Sequence, residues 1–246
     1  MGEEQDSAFE RLLDRVIALS AEERAHVREL LVRPELVPPR RNVVVRGRTC
    51  DTAFVVQSGW LMKYRTLQDG SRQVLNFRLP GEIGGLECLA YLEAPHSVVT
   101  LTKCVIARIS LEQLEATQRE FPRLGTAMLL FSFREEAILH EWEISLGQRA
   151  SYARLAHLVL ELHSRLSARV LVDGPEFEFP PTQRDLAEAV GLTPPYVNRI
   201  LRRMREDGLV EINGRRLRIL DKEGLVCAAN YSDDYLTNWQ KRNRSP

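Results

Sequence analysis

The residues best suited to chemistry lie in an arginine-rich segment near the C-terminus. From Val197 to Met204, apolar residues recur three and four positions apart, which predicts an amphipathic helix. At about 100° per residue, Arg199 and Arg202 point directly away from the apolar face, and Asn198 flanks them. Arginine can donate two hydrogen bonds to guanine, and asparagine can donate and accept one each with adenine. This exposed face therefore favours contacts with the base edges and phosphates of double-stranded DNA.

A run of arginines is more often a solvated helix face, so the preceding segment decides between the two interpretations. Thr182 followed by Asp185 predicts a capped helix start, with Asp185 as a weak capping-box partner. Gly191 suits a tight turn that needs a positive φ. Thr193 is a good N-cap for the next helix, and Pro194 falls at its first position, where proline is favoured. Helix, glycine turn and second helix together predict a helix-turn-helix.

A basic hairpin completes this predicted unit. Asn213-Gly214 is a strong two-residue turn signal, and the alternation of Ile212 and Leu217 fits two strands around it. Arg215 lies near the tip, where it can contact a phosphate. The pattern is typical of a winged helix-turn-helix. The predicted DNA-contacting residues are Thr182, Gln183, Thr193, Tyr196, Asn198, Arg199, Arg202, Arg203 and Arg215.

Charge is concentrated in the same region. Residues 182–220 hold eight arginines and five acidic residues, although the formal net charge of the whole chain is zero. A local excess of cations indicates a polyanionic partner.

The first half of the chain changes from helical to strand-like periodicity. Residues 7–32 read as helical, and Ser20 with Glu23 predicts a capping box. From about 40 to 110, short β-rich runs are separated by turn signals such as Ser58-Gly59. Many short strands at close spacing predict an antiparallel sandwich or barrel.

Pro122 opens a long predicted helix that ends at Gly147. Its apolar residues recur along one stripe at roughly seven-residue spacing, which suits packing against the same helix of a second subunit. Glu135 interrupts the stripe, and the alternative is a helix packed on its own β domain. The predicted dimer interface consists of Leu124, Met128, Phe131, Ile138 and Trp142.

Cysteine and histidine spacing indicates no metal or catalytic site. The cysteines are Cys50, Cys88, Cys104 and Cys227. Without a CxxC motif or a Cys/His cluster, we expect four reduced thiols and neither zinc nor an iron–sulfur centre. The alternative is a redox-sensing thiol, with Cys88 as the candidate. The dispersed histidines and the lack of a P-loop lysine predict that the chain is not an enzyme.

The order of helix, β-barrel, long helix and winged helix resembles the Crp/Fnr family of bacterial regulators over about residues 10–220. The resemblance is carried by Ser58-Gly59, by Leu79-Pro80-Gly81-Glu82 and by Val197-Asn198-Arg199. The last resembles rhizobial-type members with a T-P-x-x-V-N-R recognition helix. The resemblance implies that the β-roll senses a signal, that the long helix forms a homodimer, and that the winged helices bind a palindrome.

The resemblance also indicates an effector pocket with altered residues. Cyclic-nucleotide-binding members use a glutamate for the ribose, and an arginine followed by serine or threonine for the phosphate. Here His96 stands at the arginine position, and Leu86 stands at the glutamate position. Glu87 could compensate for Leu86 only if the register shifts. The candidate pocket residues are Gly84, Gly85, Leu86, Glu87, His96 and Ser97.

The absence of an arginine at position 96 determines whether we expect a cyclic nucleotide to bind. A hydrogen bond to a charged group is worth about 1.5–3 kcal/mol, and neutral histidine and leucine cannot replace a guanidinium–phosphate pair. We therefore expect no cyclic nucleotide to bind, and no cofactor.

These observations predict an α+β chain in four parts. Residues 1–120 would form N-terminal helices and a cyclic-nucleotide-binding-like β-roll sensor, and 121–147 the dimerisation helix. Residues 148–224 would form the winged helix-turn-helix DNA-binding domain, and 225–246 a C-terminal extension. In that extension Leu225, Tyr235, Leu236 and Trp239 indicate partial packing, and Lys241, Arg242 and Arg244 a loose basic end.

The predicted function is sequence-specific regulation of transcription by a homodimer on a palindromic operator, without control by cAMP. The alternative is a small-molecule or cyclic-nucleotide receptor whose DNA binding depends strictly on its ligand. Expected partners are double-stranded DNA, a second copy of the chain, and RNA polymerase. No run of about 18 apolar residues and no secretory signal are evident, so we expect no membrane partner and a cytoplasmic location.

Overall fold

The structure is a computed structural model that describes residues 6–168, 171–172 and 174–237. It divides the chain into two compact units, with the boundary inside the long helix between Glu136 and Ala137. Among the described residues, the first unit holds 6–65 and 77–136, and the second holds 66–76 and those from 137 onward. No helix within the described ranges is both long and apolar enough to cross a membrane.

Two short helices begin the first unit, α1 at Ala8–Val16 and α2 at Ala21–Leu30. Each starts with a capping box, in which the N-cap serine and a glutamate three residues later satisfy each other's backbone N–H groups. The box predicted for Ser20 with Glu23 is therefore confirmed.

Between residues 34 and 110, all of them described, the chain forms eight strands. They are β1 (Pro34–Val37), β2 (Asn42–Val44), β3 (Thr52–Ser58), β4 (Leu61–Thr66), β5 (Arg72–Arg78), β6 (Ile83–Gly84), β7 (Ser97–Thr100) and β8 (Cys104–Ser110). Two four-stranded sheets result, with the orders β1-β8-β3-β6 and β2-β7-β4-β5. The β-rich region predicted from about 40 to 110 is confirmed.

The sheet region begins one strand earlier than the sequence indicates. Pro34 is the first residue of β1, which pairs with β8 from Pro34–Ala107 to Val37–Cys104. Because β1 is an edge strand, the N–H that proline lacks is not required there.

A large buried cluster of the first unit joins the N-terminal helices, the β-roll and the long helix. It contains Phe9 of α1, Val55 of β3 and Ile109 of β8. After α3 (Leu111–Glu120), the long helix α4 (Pro122–Gln148) contributes Phe131, whose ring centroid lies 6.1 Å from that of Phe9. Burial of a large apolar side chain contributes about 1.5–3 kcal/mol, so this packing fixes α4 against the β-roll.

The apolar stripe predicted to face a second subunit is covered by the chain itself. Leu124, Met128 and Phe131 belong to the cluster just described. Ile138 and Trp142 are also buried, at 3% and 6% exposure. The prediction that these five residues form the dimer interface is therefore wrong. The alternative, a helix packed on its own β domain, is correct for Leu124, Met128 and Phe131, whereas Trp142 contacts Glu161 of the second unit. Spacing along a helix cannot distinguish an apolar stripe that faces a partner from one that faces the core.

The second unit contains the end of α4 and a helical region with a small sheet. Its elements are α5 (Ser151–Ser167), β9 (Glu176–Glu178), α6 (Gln183–Val190), α7 (Pro194–Glu206), β10 (Val210–Asn213), β11 (Arg216–Ile219), α8 (Lys222–Ala229) and α9 (Asp234–Thr237). The sheet has the order β10-β11-β9. Strand β9 was not predicted, because it is only three residues long and two of them are glutamates.

Part of the C-terminal extension packs as the sequence predicts. Leu225 and Leu236 are buried, and the Tyr235 hydroxyl donates to Glu161 Oε2 at 3.1 Å. Trp239 and the basic residues Lys241, Arg242 and Arg244 lie outside the described residues.

Cys50 and Cys88 are joined by a disulfide, with their Cα atoms 4.9 Å apart across 38 residues of sequence. The expectation of four reduced thiols is therefore wrong for this pair, whereas Cys104 and Cys227 carry free thiols. The sequence could not show the pairing, because the two cysteines meet only when the β2–β3 connection closes against the turn that follows β6.

Candidate nucleic-acid interface and sensor site

The first helix of the motif, α6, is fixed at both ends by the residues that the sequence indicated. The backbone N–H of Asp185 donates to Thr182 Oγ1 at 3.2 Å, and the N–H of Thr182 donates to Asp185 Oδ2 at 2.9 Å. At the other end, Gly191 has a φ of +65°, which a residue with a Cβ adopts only at a cost. Both predictions are confirmed, and together they set the turn into α7.

The second helix, α7, begins at Pro194 as predicted, but its N-cap works differently from the expectation. Thr193 has the extended backbone of an N-cap, yet its side chain makes no capping hydrogen bond. The second residue of the helix is Pro195, which has no N–H, and the N–H of Tyr196 donates to the Thr193 carbonyl at 3.0 Å. The Thr193 hydroxyl is consequently left on the exposed surface.

The exposed face of α7 is organised by local contacts of its arginines. Arg199 lies over the Tyr196 ring, 4.9 Å from the guanidinium carbon to the ring centroid. Arg202 pairs with Glu206 and Arg203 with Asp207, each at 3.6 Å across one helical turn. These exposed pairs contribute little stability, so their arginines can exchange a carboxylate for a phosphate at small cost.

The wing is the β10–β11 hairpin, and its turn lies one residue later than predicted. Asn213 pairs with Arg216, so the two turn residues are Gly214 and Arg215. Arg216 and Arg218 both donate to Glu176 on β9. Among the described residues, Arg215 forms no ion pair with a carboxylate.

All nine predicted DNA-contacting residues have exposed side chains. They lie at the start of α6, on the exposed face of α7 and at the tip of the wing. The buried face of α7 is also as predicted, since Val197, Ile200, Leu201 and Met204 are its buried residues.

In the first unit, Glu87 and His96 form a hydrogen-bonded pair where the sequence places the effector pocket. His96 Nε2 lies 2.6 Å from Glu87 Oε1. Burial raises the pKa of Glu87, but the hydrogen bond from His96 and the charge of Lys63 outweigh it and lower the pKa to about 2. Glu87 is therefore ionised at neutral pH, and its carboxylate accepts a hydrogen bond from His96.

Leu86 takes no part in that site. It packs against the main hydrophobic cluster, while the next residue directs its carboxylate to His96. Glu87, and not Leu86, is therefore the residue whose carboxylate lies at this site. Gly85 lies against the β3 backbone with a φ of +82°, and a Cβ on Gly84 would lie 2.5 Å from the Phe54 ring. The Ser97 hydroxyl accepts the N–H of Arg46 at 3.0 Å.

A second group of charges links this region to the long helix. Lys63 Nζ on β4 lies 3.2 Å from Glu135 Oε1 on α4, and Arg78 on β5 also donates to Glu135. Burial raises the pKa of Glu135, but the charges of Arg78 and Lys63 lower it more. Beside them, Arg134 donates to Glu82 at 3.4 Å.

The sequence-based search missed these residues, although one of them left a signal. Glu135 interrupts the apolar stripe of α4, and the structure explains the interruption by its two cationic partners on the β-roll. A charged residue at a core-facing position indicates a partner across the core. Lys63 and Arg78 lie on strands of mixed polarity, where nothing in the spacing distinguishes them.

These residues do not fit a cyclic nucleotide. A cyclic phosphate needs a cationic or N–H donor that is not already paired. The cations here, Lys63 and Arg78, are paired with Glu135, and His96 is paired with Glu87. The carboxylates of Glu87 and Glu135 would also repel the phosphate.

Comparisons with known proteins agree with this architecture. Residues 34–120 match the family model of the cyclic nucleotide-binding domain, and residues 153–228 match that of the Crp-like helix-turn-helix domain. The transcriptional activator protein FnrA of Stutzerimonas stutzeri is 27% identical over 189 residues, which cover 77% of each chain. The nitrogen fixation regulation protein FixK of Rhizobium meliloti (strain 1021) is 26% identical over 195 residues, 78% of this chain and 85% of that protein.

Solved structures share the fold. FixK2 from Bradyrhizobium japonicum has a TM-score of 0.74 at 19% identity, covering 81% of this chain and 98% of its own. The c-di-GMP responsive global regulator CLP from Xanthomonas campestris has a TM-score of 0.62 at 19% identity, covering 80% and 99%.

A β-roll of the cyclic nucleotide-binding type, a long helix and a Crp-like helix-turn-helix define a transcription regulator. The chain belongs to the Crp/Fnr family of transcription regulators.

Proposed function

We propose that this chain regulates transcription as a homodimer that binds an inverted-repeat operator without a cyclic nucleotide. The observation that carries the proposal is the exposed face of α7. Arg199 lies within the first two turns of this helix and has no carboxylate partner among the described residues. In helix-turn-helix proteins, the N-terminal part of the second helix reaches the base edges of the major groove. Arg199 would read a guanine, with Asn198, Arg202 and Arg203 beside it.

The remaining predicted contacts would hold the backbone of the DNA. Thr182 and Gln183 lie at the N-terminus of α6, and the Thr193 hydroxyl is left outside the helix cap. Hydroxyl groups and helix N-termini are frequent phosphate contacts in protein–DNA complexes. Arg215 at the wing tip would contact a further phosphate.

The homodimer requires a surface other than the stripe that the sequence indicated. The apolar residues Leu129, Phe133 and Ile144 of α4 are 53%, 54% and 47% exposed. At 100° per residue they fall within about 60° of one another, on the side of α4 opposite its buried face. A second α4 packed along this Leu129 face would cover them, which supports a two-fold symmetric dimer.

A palindromic operator follows from that symmetry. Two recognition helices related by a two-fold axis would lie about 34 Å apart, which is one turn of B-DNA. As a DNA-bound regulator the protein would act in the bacterial cytoplasm. Contact with RNA polymerase would follow from its role in transcription.

Selection of bound sites from random double-stranded DNA, with purified protein and no added nucleotide, tests the proposal. We expect enrichment of an inverted repeat with half-sites about one turn apart. If enrichment occurs only after a small molecule is added, the alternative of a strictly ligand-dependent receptor is correct. If no repeat is enriched under either condition, the proposed function is wrong.

A further inference from the structure

We propose that the Cys50–Cys88 disulfide is a reversible redox site through which the first unit controls DNA binding. The inference rests on the proposed function, because DNA affinity is one of its readouts. The thiols belong to segments 38 residues apart, and both side chains are at least 93% buried. They are the two cysteines of the chain that the fold brings together, since Cys104 and Cys227 are free.

The disulfide joins two connecting segments around a small buried cluster. Cys50 lies in the β2–β3 connection, and Cys88 lies in a single 3-10 turn, Leu86–Leu89. Their buried cluster contains only one further fully buried residue, Ala94. The backbone bonds across the junction include Cys50 N–H to the Leu92 carbonyl at 3.0 Å. A buried cluster of this size would open locally at a lower free-energy cost than the main core, and such opening would admit a thiol to the sulfurs.

The cross-linked turn carries the carboxylate of the sensor site. Glu87 directly precedes Cys88, and its carboxylate faces His96 at 2.6 Å. Its negative charge also acts on Lys63, which donates to Glu135 of α4 at 3.2 Å. Reduction frees the turn, and any displacement of Glu87 then changes the charges around Glu135. Because α4 continues without a break to Gln148, the chain itself connects this site to the DNA-binding unit.

The chemistry is thiol–disulfide exchange with a low-molecular-weight thiol such as glutathione. One thiolate attacks a sulfur of the bond, forms a mixed disulfide and releases the other cysteine as a thiolate, which takes up a proton. A second thiol attacks the mixed disulfide, so two protein thiols and one small disulfide result. The reverse exchange with oxidised glutathione restores the bond. In the reducing compartment that holds DNA, protein disulfides are usually transient or redox-sensing rather than structural.

The test uses the full-length protein equilibrated in mixtures of reduced and oxidised glutathione. Alkylation followed by peptide mass spectrometry measures the redox state of Cys50 and Cys88, and hydrogen exchange measures the backbone of residues 86–94. Affinity for the selected operator is measured in the same mixtures. We expect two additional alkylated cysteines in the reduced protein, faster exchange in 86–94, and an affinity change of about fivefold or more.

Matched serine variants separate this site from the other cysteines. Cys227→Ser removes the exposed free thiol and should retain the whole redox response. Cys50→Ser and Cys88→Ser should each bind the operator like the reduced wild type in every mixture. Circular dichroism verifies that these variants are folded. The measurements on the wild-type protein test the proposal even if a variant does not fold.

Two results would overturn the inference. One is a pair of alkylatable thiols at Cys50 and Cys88 in the most oxidising mixture, and the other is equal operator affinity in the oxidised and reduced wild type. Failure of the proposed function looks different, because the protein would then select no operator in any mixture. Alkylation and hydrogen exchange would then still show whether the Cys50–Cys88 bond is reversible and whether it orders the turn at Leu86–Leu89. The claim that the bond controls DNA binding would be refuted.

Discussion

Trp142 of α4 donates its indole N–H to the carboxylate of Glu161 on α5, with 3.0 Å between Nε1 and Oε2. Both side chains are buried, and Glu161 also accepts from Arg165 at 2.9 Å and from Tyr235 at 3.1 Å. Burial raises the pKa of Glu161, while Arg165 and these donors oppose the shift. The indole that the sequence assigned to a subunit interface is thus committed to a buried polar network of its own chain.

Because Trp142 is buried within its own chain, we expect the subunit contact at the Leu129 face instead. We expect Leu129→Asp combined with Phe133→Asp to give a folded monomer, because two charges would be desolvated in the interface. Sedimentation velocity measures the mass, and circular dichroism measures the fold. Phe131→Asp is the control, because Phe131 lies in the core, and we expect it to lower the melting temperature. A doubly substituted protein that sediments as a dimer would refute the assignment of this face.

Arg199 should determine one symmetric position of the operator. We expect Arg199→Ala to weaken operator binding by about 1–3 kcal/mol and to relax the preference at one base pair in each half-site. Selection from random DNA and a binding titration measure the two effects. Arg205→Ala is the control, since it removes the same exposed charge near the other end of α7. Equal effects of the two variants would show that Arg199 contributes charge alone.

Arg215 should act on all DNA sequences alike. We expect Arg215→Ala to lower the affinity for operator and random DNA by the same factor, and to reduce the slope of log K against log salt by about 0.9, because one phosphate contact is lost. Arg218→Ala provides the comparison, because Arg218 is already paired with Glu176. A larger change of slope for Arg218→Ala would place the phosphate contact on the β11 strand instead of at the tip.

Cyclic nucleotides should not stabilise the protein. The carboxylates of Glu87 and Glu135 lie close enough to interact electrostatically, and their neighbours His96 and Lys63 are paired with them. Thermal unfolding with cAMP and with c-di-GMP should give the melting temperature of the free protein. A ligand present at 100 times its Kd would stabilise the fold by about 2.7 kcal/mol, which the measurement detects readily. A saturable increase with either nucleotide would refute the prediction, and the selected operator serves as a positive control.

His157 should make the second unit sensitive to mild acid. Burial and the charge of Arg149 lower the pKa of His157 to about 3, whereas an unfolded chain takes up its proton near 6.5. Between these values the unfolded state binds more protons, so stability falls as the pH falls from 6.5 towards 3. From pH 7 to pH 5, protonation of His157 in the unfolded chain lowers the free energy of unfolding by about 2 kcal/mol.

His157→Gln should remove the part of the fall in stability between pH 7 and pH 5 that the imidazole of His157 causes. Urea unfolding at pH 7 and pH 5 measures it as a smaller difference between the two pH values than in the wild type. His140→Gln, at an exposed position of α4, should keep the wild-type difference. If the pH dependence is the same in all three proteins, His157 does not carry a buried neutral imidazole.

The sequence determined the local elements of this protein because their causes lie within a few residues. The capping pair of Thr182 with Asp185, the turn at Gly191 and the helix start at Pro194 depend on hydrogen bonds and backbone angles of near neighbours. The exposed and buried faces of α7 follow from helical periodicity alone. The winged helix-turn-helix and its candidate contacts could therefore be derived before any tertiary information.

Tertiary structure decided which distant groups meet. The pairing of Cys50 with Cys88, the turn of Glu87 towards His96 and the partners of Glu135 each join segments separated by many residues. The same is true of α4, where periodicity identified an apolar stripe but not the surface that covers it. A side chain's spacing fixes the direction in which it points from its own helix, whereas the group it meets depends on where the rest of the chain folds.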